Sequence, residues 1–249
     1  MENNREKIRI NKYLSEAGFC SRREADRLIS QGRVTVEGHV AEPGERILPE
    51  ALVCVDQRPV RRAQEKVLLL FNKPRGLVCS TKKQGDAMTV TEYLHYPVRI
   101  YPAGRLDKES EGLLILTNEG QLANDIMRAR NFHEKEYLVT VNRPIDETFL
   151  QGMGQGVPIL DTVTRPCKVK ALGKQRFSIV LTQGLNRQIR RMCEYFGYEV
   201  TSLKRVRIMN LKIDGLKPGQ YRPLTAEERK DLEKGIYGER NGKAEADRH

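Results

Sequence analysis

Several residue types that build common functional sites are scarce in this chain of 249 residues. It has no Trp, and its five cysteines are widely spaced without a C-x-x-C pair. Neither a disulfide framework nor a structural zinc site is therefore indicated. The four histidines have no paired spacing, and no Walker A or G-x-G-x-x-G pattern occurs. We therefore expect no bound metal and no cofactor.

Long apolar runs are also missing. The first 12 residues are polar and charged, and the strongest apolar runs, residues 67–71 and 113–116, have only the length of a β-strand. A signal peptide or a membrane span is therefore not supported. We expect a cytoplasmic protein with reduced thiols and no membrane partner.

Positive charge is the feature that the sequence has in excess. Lys and Arg number 44 against 33 for Asp and Glu, which gives a net charge of +11. The excess is concentrated in residues 7–33, with a net charge of +4, and in residues 164–217, with a net charge of +10. Two separated basic blocks favour two nucleic-acid contact surfaces over an evenly charged, merely soluble protein.

The first basic block has the pattern of a small helical module followed by a small sheet. Ile10 and Leu14 have helical spacing, and Ser21 and Glu24 form the pattern of a capping box that opens a second helix. Short strands are predicted to follow. Each arginine here could be an ordinary solvated charge, but as a group they fit phosphate contacts: Arg22, Arg23, Arg27 and Arg33.

The rest of the chain is rich in strand patterns and predicts an α+β domain with a large, mainly antiparallel sheet flanked by helices. A small N-terminal domain precedes it. We expect domains at 8–60 and 67–225, joined by a linker at 61–66 and followed by a charged tail at 226–249. The predicted strands are 67–72, 76–80, 112–118, 136–142, 164–172, 177–182 and 200–209, and the predicted helices are 119–128 and 186–196.

Few residues of the larger domain could carry chemistry. Asp107 lies in a polar loop between two apolar segments, although such an aspartate is by itself more typical of a loop or helix cap. Tyr137 opens a strand and would more often be a packed aromatic. Arg187, Arg190 and Arg191 lie on one cationic side of a predicted helix.

Several of these segments resemble known families. Residues 10–38, with Ser-Arg-Arg-Glu-Ala, Gly-Arg-Val and Val-Glu-Gly in that order, resemble the S4 RNA-binding domain. The segment 104–118, Gly-Arg-Leu-Asp-Lys-Glu-Ser-Glu-Gly-Leu-Leu-Ile-Leu-Thr-Asn, is similar to the signature of the pseudouridine synthases that modify ribosomal RNA. Asn-Lys-Pro-Arg-Gly at 72–76, Lys-Glu-Tyr at 135–137 and Gly-Leu-Asn-Arg-Gln-Ile-Arg-Arg-Met at 184–192 follow in the order of that family.

The resemblance implies a reaction and a set of site residues. A uridine within RNA would lose its bond from N1 to C1′ and be rejoined through C5, without a cofactor or metal. The family's catalytic aspartate falls on Asp107, its active-site tyrosine on Tyr137 and its basic residue on Arg190. We expect Arg190 beside Asp107, where a cation would favour the ionised carboxylate. The aspartate could attack C1′, stabilise an ion or remove the 2′ proton. The target uridine would have to be flipped out of its stack to react. Arg105 is a candidate for holding the flipped nucleotide or for filling the space that it leaves in the RNA, but a structural ion pair is an equal alternative.

The resemblance also implies the partners. The nearest branch acts on large-subunit ribosomal RNA, and a transfer RNA is a second candidate substrate. Two RNA-binding surfaces on one chain make a monomer sufficient. The alternative function is a non-catalytic RNA-binding or ribosome-assembly protein that keeps this fold. The expected RNA contacts are Arg22, Arg23, Arg27 and Arg33 in the first block, Arg187 and Arg191 in the second block, and Arg105 near Asp107.

Overall fold

The computed structural model describes residues 6–61, 65–80, 85–128 and 132–246, with side chains up to residue 238. It divides into two units. The first comprises Met1–Val67, Tyr96–Ile100 and Asn118–Gly120, and the second comprises the remainder. Within the expected linker 61–66, residues 62–64 lie outside the described residues, as do residues 247–249 of the expected tail.

The described part of the first unit contains two helices and two small antiparallel sheets. One sheet pairs β1 with β4, and the other has the order β3-β2-β5-β6. Leu14, Ala25, Val34 and Val53 are fully buried at the centre of its core. The elements are β1 (Ile8–Arg9), α1 (Ile10–Glu16), α2 (Arg22–Ser30), β2 (Val34–Val36), β3 (His39–Val40), β4 (Arg46–Ile47), β5 (Val53–Val55) and β6 (Arg58–Pro59).

The start of α2 differs in one respect from the predicted capping box. The Ser21 Oγ accepts a hydrogen bond from the backbone N–H of Glu24 at 3.2 Å, as predicted. The Glu24 carboxylate, however, binds the Arg27 guanidinium one turn further on, and only half of the capping box is formed. The ion pair satisfies the carboxylate in place of the Ser21 N–H.

The second unit contains one large mixed sheet with the order β13-β14-β10-β15-β9-β7-β17, in which β8 also pairs with β9 and β16 with β15. Among these strands only β15 and β9 pair in parallel, so the prediction of a mainly antiparallel sheet is confirmed. The elements are β7 (Leu68–Lys73), α3 (Val90–Leu94), β8 (Tyr101–Ala103), β9 (Glu111–Thr117), α4 (Gly120–Met127), β10 (Lys135–Val141), α5 (Glu147–Gln155), β11 (Pro158–Ile159), β12 (Thr162–Val163), β13 (Lys168–Gly173), β14 (Arg176–Leu181), α6 (Gln188–Tyr195), β15 (Val200–Ile208), β16 (Leu211–Lys212), β17 (Tyr221–Pro223) and α7 (Ala226–Ala246).

Two apolar cores hold this unit together. Phe149 of α5 and Met192 of α6 pack with Phe177 of β14 in one core. Leu122 of α4 and Leu232 of α7 belong to the other, together with residues of β7 and β9. Each core packs helices against a different part of the sheet, and the parallel pair of β15 and β9 joins the two parts. Within the described residues, no helix has the length and hydropathy that a membrane span requires.

Several segments differ from the sequence predictions. Helices α3 and α5 lie where no helix was predicted, and the strand predicted at 164–172 begins only at Lys168, as β13. Residues 76–80 form a loop in which Val78 makes one isolated bridge to Thr89, because the left-handed Gly76 turns the chain after β7. Residues 226–249, expected as a charged tail, instead contain helix α7. At the start of α7, Thr225 and Glu228 exchange side-chain to backbone hydrogen bonds. Further along the helix, the side chain of Leu232 is fully buried. The apolar residues on one face of this charged segment dock it on the sheet.

Candidate active site

A cavity of about 820 Å³ lies in the second unit. Its walls are the loop between β8 and β9, the starts of β10 and α6, the end of β14 and the middle of β15. Among the described residues, two acids line it, Asp107 and Glu109. The five basic residues that line it in the same part of the chain are Arg105, Lys108, Lys135, Arg187 and Arg205. The cavity is therefore electropositive and suits a nucleic-acid substrate.

Asp107 lies half-buried on the loop between β8 and β9. Its main-chain oxygen accepts a hydrogen bond from the N–H of Ser110 at 3.1 Å, which closes a turn. The N–H of Gly76 donates to the oxygen of Lys108 at 2.8 Å and braces the same loop. Among the described residues, the Asp107 carboxylate has no hydrogen-bond or ion-pair partner. It is thus a carboxylate held at the cavity wall and free to meet a substrate.

Lys73 braces this loop from within the protein. Its side chain is fully buried, and its Nζ donates to the main-chain oxygens of Ser110 at 2.8 Å and Pro74 at 2.9 Å. Burial lowers the pKa of Lys73, while the Cys79 thiol and nearby carboxylates, including that of Asp107, act in the opposite direction. The cation therefore fixes the loop and contributes positive potential near Asp107.

Tyr137 lies on β10 and faces the cavity from the sheet. It is half-buried, and its ring packs against the core that contains Phe177. In the register of the sheet it lies opposite Ile179 of β14 and Arg205 of β15. One part of the ring is thus supported by the core, and the residue also borders the space that a substrate would occupy.

Arg190 occupies a different position from the one we expected. Its Nη1 donates to the main-chain oxygen of Val200 at 3.1 Å and its Nη2 to the Ser110 Oγ at 3.4 Å, while its Nε is buried without a partner among the described residues. Arg190 is not among the residues that line the cavity. In this structure it supports the loop behind Asp107, through Ser110, rather than contacting the carboxylate.

Arg187 and Arg191, the other arginines of this segment, also differ from each other. Arg187 caps α6 in a left-handed conformation with φ of +49° and lines the cavity, with its Nη1 3.9 Å from the Glu109 Oε2. Arg191 donates from Nε to the main-chain oxygen of Asn186 at 3.1 Å. Arg187 is therefore available to a substrate in the cavity. Arg191 does not line the cavity, and it bonds the main chain just before α6.

Lys135 and Arg205 are cavity residues that the sequence analysis missed. Both are buried, with exposed fractions of 7% and 3%. The Arg205 Nε donates to the main-chain oxygen of Leu113 at 2.7 Å, but its Nη2 has no partner among the described residues. Burial, and then the charge of Arg205, lower the pKa of Lys135 to about 8. Strand alternation from Leu203 would have placed Arg205 on the buried face, but only once the register was known.

Cys79 also lines the cavity and could be considered as a nucleophile. Its Sγ accepts a hydrogen bond from the N–H of Leu106 at 3.4 Å, next to Asp107. Burial raises the pKa of the thiol, so that Cys79 stays protonated at neutral pH. A thiol in this state positions the loop and does not compete with Asp107 as the reactive group. In the described part of the chain, no group of His, Cys, Asp and Glu is placed to hold a metal ion.

The four predicted RNA contacts of the first unit are all exposed. Arg27 is paired with Glu24, and Arg33 makes two hydrogen bonds to the Asp56 carboxylate. Arg22 and Arg23, on the first turn of α2, have no ion-pair partner among the described residues. These two arginines have the least compensated charge of the four.

Comparison with known proteins agrees with this geometry. A model of the RNA pseudouridylate synthase family matches residues 67–195, and a model of the S4 domain matches residues 8–53. A dual-specificity RNA pseudouridine synthase, RluF, of Salmonella typhi is 53% identical over 232 residues, which span 92% of this chain and 80% of that protein. The ribosomal large subunit pseudouridine synthase B of Bacillus subtilis is 38% identical, over 90% of this chain and 95% of that protein.

A solved structure shares the fold as well. A crystal structure described as that of a pseudouridylate synthase superposes with a TM-score of 0.68 at 28% identity, and covers 90% of this chain and 99% of that one. An RNA-binding module and a carboxylate in a basic cavity define an RNA-modifying enzyme. Within that class, the chain belongs to the RNA pseudouridylate synthase family.

Proposed function

We propose that this enzyme isomerises a uridine of large-subunit ribosomal RNA to pseudouridine, and that a transfer RNA is a second substrate. The names of the similar proteins support this choice, because they include a dual-specificity enzyme and a large-subunit enzyme. The proposed enzyme acts as a monomer in the cytoplasm, with 8–60 as its RNA-binding domain and 67–225, extended by α7, as its catalytic domain.

We assign the chemistry to Asp107 and Tyr137. A target uridine stacked within RNA must be flipped out to enter the cavity, at a cost of about a few kcal/mol that phosphate contacts offset. Asp107 then acts at the sugar, by one of three routes: attack on C1′, stabilisation of an ion or removal of the 2′ proton. Tyr137 stacks on the uracil and takes part in proton transfer from C5. Arg105, exposed at the cavity wall, holds the flipped nucleotide.

Arginines have two different roles in this proposal. Arg190 acts as a positioning residue, because it hydrogen-bonds Ser110 of the catalytic loop. The phosphate contacts come from two groups of arginines. These are Arg187 and Arg191 at the start of α6, and Arg22, Arg23, Arg27 and Arg33 in the first unit.

The observation that carries the proposal is the Asp107 carboxylate, unpaired among the described residues, in a cavity whose other charges are mainly positive. A protein that only binds RNA gains nothing from such a carboxylate, since it repels phosphate. This argument favours catalysis over the alternative of a ribosome-assembly protein.

Asp107→Asn tests the assignment. We expect uridine isomerisation on ribosomal RNA to fall by at least about a thousandfold, while the affinity for the same RNA is unchanged. Glu109→Gln is the matched control, because it removes an exposed carboxylate of the same loop, and we expect less than a tenfold change. Isomerisation retained by Asp107→Asn would overturn the role of Asp107. No isomerisation of any ribosomal RNA by the unmodified chain would instead support the binding protein.

A further inference from the structure

The inner part of the cavity contains hydrogen-bond donors that the fold does not satisfy. The Arg205 Nη2 and the Gln183 Nε2 are buried without a partner among the described residues. Among the described residues, the Lys135 Nζ has only a long contact, 3.4 Å, to the main-chain oxygen of His133. All three residues line the cavity. Buried donors without acceptors are unfavourable unless a ligand supplies the acceptors.

The same place also holds two like charges. Lys135 and Arg205 lie on the paired strands β10 and β15, where Arg205 is opposite Tyr137, two residues from Lys135, and both line the same cavity. Their charges repel, and burial penalises each of them. Since the pKa of Lys135 is about 8, the Lys135 side chain is nevertheless mostly protonated at neutral pH. Such a pair is suited to an anion that enters the cavity.

The chemistry of the reaction supplies that anion. When the bond from C1′ to N1 breaks, its electron pair leaves with the uracil, whose N1 and two carbonyl oxygens share the negative charge. The electron-poor C1′ remains at the sugar, next to Asp107. When C5 then bonds to C1′, the C5 proton is lost and N1 gains a proton, so that no atom or electron is lost overall.

We propose that Lys135 and Arg205 stabilise the detached uracil as an anion and hold it by its carbonyl oxygens while it turns. This inference rests on the proposed function and names two further catalytic residues for it. A phosphate is a poorer occupant of this place, because both side chains are buried and share the cavity with Tyr137, the proposed stacking partner of the base. Gln183 adds a neutral donor to the same group.

Lys135→Met provides the first test, because methionine has a similar length and removes a buried charge. We expect the single-turnover rate on a uridine substrate to fall about a hundredfold, as when one preorganised donor is removed. The melting temperature should rise or stay the same, since the desolvation of a cation is relieved. Affinity for the RNA should not change, because the residue does not contact phosphate.

A change of the leaving base identifies the role. The single-turnover rates are also measured on the RNA that carries 5-fluorouridine at the target position, with the reaction followed as disappearance of the target nucleoside. This base is chosen because fluorine itself stabilises the uracil anion. On this RNA we expect Lys135→Met to lower the rate about tenfold or less, against about a hundredfold on uridine. Lys204→Gln is the matched control, since Lys204 precedes Arg205 on β15 and points to the other side of the sheet, and its rates should change less than twofold.

Two results would overturn the inference: an equal loss of rate on both bases, or a loss of RNA affinity alone. Arg205→Gln is the second variant and should show the same dependence on the base. Because this change also removes the bond to Leu113, its folding is checked by melting, and Lys135→Met decides the question if the Arg205 variant unfolds. All rates are measured on an RNA that the unmodified chain converts, so a wrong target RNA would be recognised before these tests begin.

Discussion

A Cβ atom on Gly112 would lie 2.2 Å from the main-chain oxygen of Arg205. The two residues are partners in the parallel pair of β9 and β15, and Gly112 has a φ of +111°. This close approach joins the two parts of the sheet. It also places the loop that carries Asp107, which leads into β9, beside the strand that carries Arg205. The absence of a side chain at Gly112 is therefore a structural requirement of the site.

Gly112→Ala should destabilise the protein and the site together. The added methyl group collides with main-chain atoms, which cannot rotate away as a side chain could. We expect the free energy of unfolding to fall by about 2–4 kcal/mol, with a loss of isomerisation in the fraction that still folds. Denaturant titration measures the first effect and a single-turnover assay the second.

Gly76→Ala separates the collision from the strain of the backbone. Gly76 also has a positive φ, +92°, but an added Cβ would meet nothing within 4 Å. We expect a cost of only about 1–2 kcal/mol there. An equal cost at the two glycines would show that backbone strain alone, and not the contact with β15, makes Gly112 necessary.

The hydrogen bond between Arg190 and Ser110 predicts that Arg190 acts through the catalytic loop. Arg190→Lys cannot keep both the contact to Ser110 and the contact to Val200. We expect the single-turnover rate to fall about a hundredfold with little change in RNA affinity, since a small displacement of a catalytic group has an effect of this size.

Ser110→Ala completes the test as a double-mutant cycle. If Arg190 acts through Ser110, the effects of the two changes on the rate should be less than additive, with a coupling of about 1 kcal/mol. Fully additive effects would contradict the proposed route.

Arg187→Gln should behave differently from Arg190→Lys, because Arg187 lines the cavity. We expect this change to weaken RNA affinity more than it lowers the single-turnover rate.

The sequence predicted those parts of the fold that depend on local patterns. The alternation and apolar runs of β7, β9, β10 and β14 indicated strands to within a few residues, since their side chains alternate between two environments or are buried on both faces. The motifs singled out Asp107 and Tyr137 as candidates, and both residues line one cavity. Helix α7 was missed because its many charges hid the signal from Leu232 and Ile236, although Thr225 and Glu228 form the pattern of a helix start.

The parts that could not be predicted depend on contacts between distant segments. Arg190 was expected beside Asp107, but it bonds to Ser110, 80 positions away in the sequence. Arg205 binds the main-chain oxygen of Leu113, 92 positions away. Neither the register of β15 on β9 nor the direction of these long side chains is encoded by spacing along the chain. The sequence therefore indicated candidate residues at the cavity but not the residues of its inner surface.

The arginines of α2 should contribute unequally to RNA binding. Arg22→Gln and Arg23→Gln remove charges that have no ion-pair partner among the described residues. Each change should weaken binding and reduce the slope of log affinity against log salt by about 0.7–0.9. Arg27→Gln should have a smaller effect, because Glu24 already offsets its charge. Filter binding at several salt concentrations measures both quantities, and equal slopes for all variants would contradict the prediction.

The ion pair of Arg222 and Glu228 should make the docking of α7 depend on pH. The two guanidinium Nη atoms each lie 2.7 Å from a carboxylate oxygen, and these hydrogen bonds lower the pKa of Glu228 from 4.5 to about 2. Since the folded protein binds this proton less readily than the unfolded chain, the stabilisation is complete above the ordinary pKa of 4.5 and is lost as the pH falls towards 2.

Glu228→Gln should therefore lower the free energy of unfolding at neutral pH by about 1–2 kcal/mol, a value reduced because both side chains are partly solvated. The difference from the unmodified chain should shrink as the pH is lowered through the range from about 5 to about 2. Glu227→Gln is the matched control, because Glu227 is exposed on the same turn and forms no such pair among the described residues. Equal stability of Glu228→Gln and the unmodified chain at every pH would show that Glu228 acts through the helix cap at Thr225 alone, since a glutamine oxygen can accept the same hydrogen bond.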